Sequence, residues 1–93
     1  MIRSFKDKTT EMVLAGKAPK GFPADIVRAA QRKLFMIDTA DALEDLLVPP
    51  GNRLEALKGN RKGQHSIRIN DQWRICFVWT QAGVEGVEIV DYH

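Results

Sequence analysis

Apolar side chains recur along residues 23–37 at Ile26, Ala29, Ala30, Leu34 and Ile37, three and four positions apart. That spacing predicts a helix with one buried stripe, and Arg28, Arg32 and Lys33 fall toward its other face. Pro23 suits the first helical position, where a missing N–H costs nothing. Residues 7–15 predict a shorter helix, stopped by Gly16 and then Pro19. Residues 40–47 predict a third, with Leu43, Leu46 and Leu47 as its apolar side and Val48-Pro49-Pro50-Gly51 as its stop. Beyond Gly51 the period falls to two. Alternation over residues 53–57, 65–70, 73–79 and 87–92 predicts four strands, and residues 2–5 predict a short one at the start. The connections at residues 58–63, 70–72 and 81–83 are short and carry turn residues, which favours antiparallel neighbours. Helices followed by a run of strands predict an α+β fold, with two to three N-terminal helices packed on a small, mainly antiparallel β-sheet. One domain is expected over residues 1–93.

Parity sorts the strand residues by face. Trp73, Ile75, Phe77 and Trp79 point one way, toward a core, and Arg74, Cys76 and Val78 the other. Ile67 and Ile69 take the buried side of the preceding strand, opposed by Ser66, Arg68 and Asn70. Arg68 and Arg74 are therefore expected to share the open face of one sheet. Two readings fit such a face: a binding site, or a solvated surface.

Composition narrows the class. The chain has 93 residues, 44% hydrophobic and 28% charged, enough for one core and too apolar for a disordered chain. Its longest apolar run falls far short of a membrane span, and its start has no apolar segment of the kind a secretory signal needs. A single cysteine, Cys76, allows neither an internal disulfide nor a multi-cysteine metal site, so the expected setting is a reducing cytoplasm. The formal net charge is +2, unevenly distributed. Residues 1–37 hold eight Lys/Arg against three Asp/Glu, and residues 52–74 hold six against two. Residues 38–51 and 75–93 carry only acidic charges, four and three. Basic clusters under a modest net charge fit a local anion-binding surface, and they also fit a solvated one.

The chemistry-bearing candidates lie late in the chain. Asp91-Tyr92-His93 follows the last predicted strand, a carboxylate, a phenol and an imidazole that can all move protons. A frayed tail is the alternative reading. Residues 58–63, Lys58-Gly59-Asn60-Arg61-Lys62-Gly63, form a basic turn without the spacing of a nucleotide-binding P-loop. His65, His93 and Asp91 have no metal-ligand spacing, and Cys76 reads as a small packed thiol. Trp73, Phe77 and Trp79 read as core before base-stacking platforms.

Several segments together resemble the HigB branch of the RelE/ParE superfamily, the toxins of bacterial type II toxin–antitoxin systems once called plasmid maintenance killer proteins. They are Ile2-Arg3-Ser4-Phe5-Lys6-Asp7-Lys8, the run Pro49-Pro50-Gly51-Asn52-Arg53-Leu54-Glu55-Ala56-Leu57-Lys58-Gly59, the strand Ser66-Ile67-Arg68-Ile69-Asn70, then Trp73-Arg74-Ile75, and the close Val87-Glu88-Ile89-Val90-Asp91-Tyr92-His93. The resemblance implies a RelE-like fold and ribosome-dependent cleavage of messenger RNA in the 70S decoding site. It implies a HigA-like helix-turn-helix antitoxin as partner; separately, from the residues, neither cofactor nor metal is expected. It assigns Lys58 to the reacting phosphate, matches Arg74 to the family's Trp-Arg arginine, and assigns Asp91, Tyr92 and His93 to a C-terminal catalytic cluster. Arg53, Arg61, Lys62 and Arg68 are candidate RNA contacts. Some members carry a histidine three residues before the lysine; here that residue is Glu55, which leaves His93 as the expected imidazole and Glu55 as a substitute base. Two other readings remain: a ParE-like poison of DNA gyrase, and a toxin-like module that binds without catalysis.

Overall fold

The computed structural model describes residues 1–92, and the first helix, α1 (Lys8–Leu14), forms within the expected residues 7–15. Asp7 caps it by accepting from the Thr10 amide at 2.8 Å, which satisfies one of the free N–H groups at a helix start. Gly16 ends it with φ +86, in a pair of closing bonds from Gly16 N to Val13 O (2.9 Å) and Lys17 N to Met12 O (3.0 Å). The second helix, α2 (Val27–Thr39), is entered through a 3₁₀ turn at Ala24–Ile26. Val27, Ala30, Leu34 and Ile37 form its buried stripe. The third helix shrinks to a 3₁₀ turn at Leu43–Leu47. The Asp45 carboxylate caps its start by accepting from the Asp41 and Ala42 amides at 3.0 and 3.1 Å.

Four strands follow: β1 (Glu55–Ala56), β2 (His65–Arg68), β3 (Trp73–Thr80) and β4 (Gly83–Asp91). They lie in the order β1-β2-β3-β4, every pair antiparallel. Every strand differs from the alternation at one end or both, β2 stopping at Arg68 and β3 running on to Thr80. β1 keeps only two residues, and β4 starts four residues before the expected position 87. The cause is a bulge: Cys76 pairs with Glu88 but Val78 pairs with Glu85, leaving an extra residue on β4, where Gly86 takes φ +60. The bulge turns Val84 and Val87, three apart, both inward, and so hides the strand from a period-two reading. The predicted opening strand is instead two isolated parallel bridges to β4, Ile2 with Val84 and Phe5 with Val87. Their β4 partners, Val84 and Val87, stand on either side of Gly86.

The helices cover one face of the sheet. Val13, Ala30, Leu34 and Ile37 meet Ile67, Ile75, Phe77, Val84 and Val87 in a core, while Trp73 sits half-buried at its edge, 5.6 Å from Phe22 ring to ring. Among the described residues, no helix is long and apolar enough to cross a membrane. Among the described residues, no α-helix lies on the other face, where Ser66 and Cys76 are nevertheless fully buried.

Candidate active site

Register assembles the open face. Arg68 stands opposite Arg74 across β2 and β3, Ser66 opposite Cys76, and Glu55 opposite Ser66. Alternation therefore sends Glu55, Ser66, Arg68, Arg74 and Cys76 outward together, as the parity reading expects.

Arg74 is the best-held cation on that face. Its Nε donates to Ser66 Oγ at 2.9 Å and its Nη2 to the Arg53 carbonyl at 2.8 Å. The Glu55 carboxylate lies 3.9 Å away, and the guanidinium carbon sits 5.8 Å from the Tyr92 ring centroid. The Arg53 carbonyl is presented by a left-handed residue: Arg53 has φ 47 at the end of the 3₁₀ turn Pro50–Asn52. Beneath it, the fully buried Asn52 fixes the turn. Asn52 Nδ2 donates to Leu46 O at 3.2 Å and Val48 O at 3.4 Å, and Lys33 Nζ donates to Asn52 Oδ1. Lys33 thus turns toward this loop rather than into solvent. Burial, then Arg32 and Arg68, hold its ammonium below the ordinary lysine value.

Lys58 and Tyr92 meet Glu55 in a shallow cleft of about 320 Å³, completed by Ala56 and Leu57. Lys58 is exposed at the start of the 3₁₀ turn Gly59–Arg61. That turn is anchored at its base by Leu57 N donating to Gln64 O at 2.9 Å. Lys58, Arg74 and Tyr92, three of the expected catalytic residues, are therefore brought together. Asp91 is not: it pairs with Trp73, on the helix-covered side, and its Oδ2 accepts from Gln72 Nε2 at 3.3 Å. His93 lies outside the described residues. The other imidazole, His65, faces the core side. It stacks on Phe77 at 6.4 Å, and its Nδ1 is buried with no hydrogen-bond partner among the described residues.

The expected RNA contacts divide. Lys62 and Arg53 are exposed, Arg53 also giving its carbonyl to Arg74. Arg68 is paired with Asp71. Arg61 reaches Glu88 and Gln64, each at 3.1 Å, and its pKa is raised, first through the Glu88 hydrogen bond. Cys76 is fully buried, and burial pushes its thiol up, as befits a packed side chain rather than a nucleophile. Sequence reasoning missed Asn52 and Glu88. A buried asparagine after Pro-Pro-Gly is a signal of a tied turn; nothing local marks Glu88, whose partner is 27 residues distant.

A sheet whose bare face gathers a fixed arginine, a lysine, a carboxylate and a phenol has a fold with known relatives. A chain of the YoeB-YefM complex from Staphylococcus aureus superposes with a TM-score of 0.62 at 18% identity, covering 100% of this chain and 98% of that one. At that identity the likeness defines the fold alone. Sequence defines the rest. The profile of the family described as "RelE-like toxin of type II toxin-antitoxin system HigB" matches residues 3–93. "Toxin HigB-1" of Vibrio cholerae serotype O1 is 44% identical over 93 residues, 99% of this chain and 94% of its own. "Endoribonuclease HigB" of Proteus vulgaris is 34% identical over 97 residues, the whole of both chains. The chain belongs to the RelE-like HigB toxins of type II toxin–antitoxin systems, and an antitoxin is its partner.

Proposed function

We propose that the open sheet face is the surface on which this toxin cuts RNA, acting as a ribosome-dependent endoribonuclease on translated messenger RNA. The observation that carries this reading is Arg74, whose guanidinium is fixed by Ser66 Oγ and the Arg53 carbonyl beside the cleft of Lys58, Glu55 and Tyr92. RNA is cut without metal when its own 2′-OH attacks the adjacent phosphorus, the 2′-OH being what distinguishes RNA from DNA. The products are a 2′,3′-cyclic phosphate and a 5′-hydroxyl. Such a reaction needs a base, an acid and cations for the charge that develops on the phosphorane. A preorganised cation avoids reorganisation at the moment of reaction, which suits Arg74, with Lys58 as the second charge at the cleft. Glu55 takes the 2′-OH proton, and His93, next in sequence to Tyr92, protonates the leaving 5′-oxygen. General acid–base help of this kind is worth about 10²–10⁴-fold. Asp91, facing the other side, acts only indirectly. Lys62 and Arg53 place the RNA backbone, and Arg68 does so when RNA displaces Asp71. The toxin works where translating 70S ribosomes are, in the cytoplasm, and a HigA-like helix-turn-helix antitoxin silences it.

Inducing the toxin in bacteria, beside a Lys58→Ala/His93→Ala variant, and mapping messenger RNA 5′ ends tests this. New 5′-hydroxyl ends inside reading frames, in phase with codons and absent from the variant, are expected. Growth arrest without such ends overturns the reading and points to a target such as gyrase.

A further inference from the structure

On the outer side of the helical layer, α1 and α2 enclose an open groove of about 500 Å³ lined by Leu14, Arg28, Gln31, Arg32 and Phe35. The four α2 residues stand at i, i+3, i+4 and i+7, one helical face about 10 Å long. That face is turned away from the buried stripe of Val27, Ala30, Leu34 and Ile37, so the groove belongs to the helical layer and not to the sheet face that carries Arg74. Gln31 Nε2 donates to the Leu14 carbonyl at 3.1 Å, tying the two helices and pre-forming the groove. Phe35 is 60% exposed in it. Among the described residues, neither Arg28 nor Arg32 forms an ion pair.

Two unpaired arginines one turn apart, beside an exposed aromatic ring and a leucine, have the composition of an interface anchor. We infer that this groove docks the antitoxin, through an acidic amphipathic helix. Carboxylates one turn apart on that helix pair with Arg28 and Arg32, and its apolar side chain covers Leu14 and Phe35. The inference rests on this chain being the toxin of a type II pair, which supplies the protein partner. A phosphate backbone fits the site less well: it would leave the Leu14–Phe35 strip uncovered, and Gln31 already spends its amide on Leu14.

The test uses the whole toxin with Arg28→Glu and Arg32→Glu together, and separately with Phe35→Ala, titrated with its cognate antitoxin by calorimetry. Each toxin is also expressed alone and with the antitoxin. The charge-reversed toxin is expected to lose about 100-fold or more in antitoxin affinity. It should escape neutralisation, yet arrest growth when expressed alone as the unaltered toxin does. Unchanged affinity overturns the inference. So does lost toxicity with antitoxin binding intact, which would hand the groove to RNA or the ribosome. Should the charge-reversed protein fail to fold, Phe35→Ala decides, because truncating an exposed ring leaves the fold in place; unchanged affinity there also overturns it. Reading 5′-hydroxyl ends in the same cultures separates the two proposals: their absence sinks the ribonuclease reading and leaves the docking result standing.

Discussion

At Arg74 a hydroxyl, a main-chain carbonyl and a carboxylate converge on one guanidinium: Ser66 Oγ at 2.9 Å, Arg53 O at 2.8 Å and Glu55 at 3.9 Å. The planar fork can hold two of these in fixed directions and still present N–H groups to a phosphate. A lysine ammonium is a point charge on a flexible stem and cannot span Ser66 and the Arg53 carbonyl at once. Arg74→Lys is therefore expected to keep the fold and the charge but lose about 10–100-fold in cleavage rate, measured on a translated message in a reconstituted system. A rate equal to that of the unaltered toxin would mean that charge alone, not its fixed direction, matters at this position. The side chain's half-buried seat also explains why Arg68, its partner in register, is not its equal. Arg68 has Asp71 as a local partner three residues on, and an exposed pair of that kind is worth little.

The turn that presents the Arg53 carbonyl is held from below by Asn52, which donates to Leu46 O and Val48 O and accepts from Lys33 Nζ. Asn52→Ala leaves two carbonyls and a partly buried ammonium without this partner. A loss of about 1–3 kcal/mol in unfolding free energy is expected by chemical denaturation. A loss of only a few tenths would show that water replaces the side chain. Such ties mark the limit of what the sequence discloses. α2 was legible because Ala30, Leu34 and Ile37 repeat at helical spacing whatever they pack against. The shared face of Arg68 and Arg74 was legible because alternation is local. The start of β4 was not, since Gly86 breaks the period and only pairing with β3 shows the bulge. Nor was the Arg61–Glu88 pair, because parity names a face but not a register. Lys58, Arg74 and Tyr92 were candidates from the residues themselves and gained their roles by resemblance, and their meeting at Glu55 required the fold.

Across the molecule as a whole, the same strands serve two ends on two faces. On β2 and β3, Ile67, Ile75 and Phe77 point into the core while Ser66, Arg68 and Arg74 point out of it. Stability and chemistry are thus divided by parity, and they should respond to different substitutions. Leu34, fully buried on α2, fills space between helix and sheet. Leu34→Ala is expected to cost about 2–5 kcal/mol through lost transfer energy and the cavity left behind. Each kcal/mol shifts the melting midpoint by about 4–8 °C in a domain of this size, so calorimetry should find a drop of at least about 8 °C. Total stability is only about 5–15 kcal/mol, and the folded fraction of this variant will fall steeply on warming. Below its transition, however, each folded molecule should cleave at the normal rate, because nothing on the open face has changed. Lys58→Ala should do the reverse. Lys58 is exposed, so its removal is expected to move stability by no more than about 0.5 kcal/mol while abolishing cleavage. A Lys58→Ala protein that melted as early as Leu34→Ala would show that this cation holds the turn rather than the phosphate. The division of labour between the two faces would then fail at the residue where it is most sharply drawn.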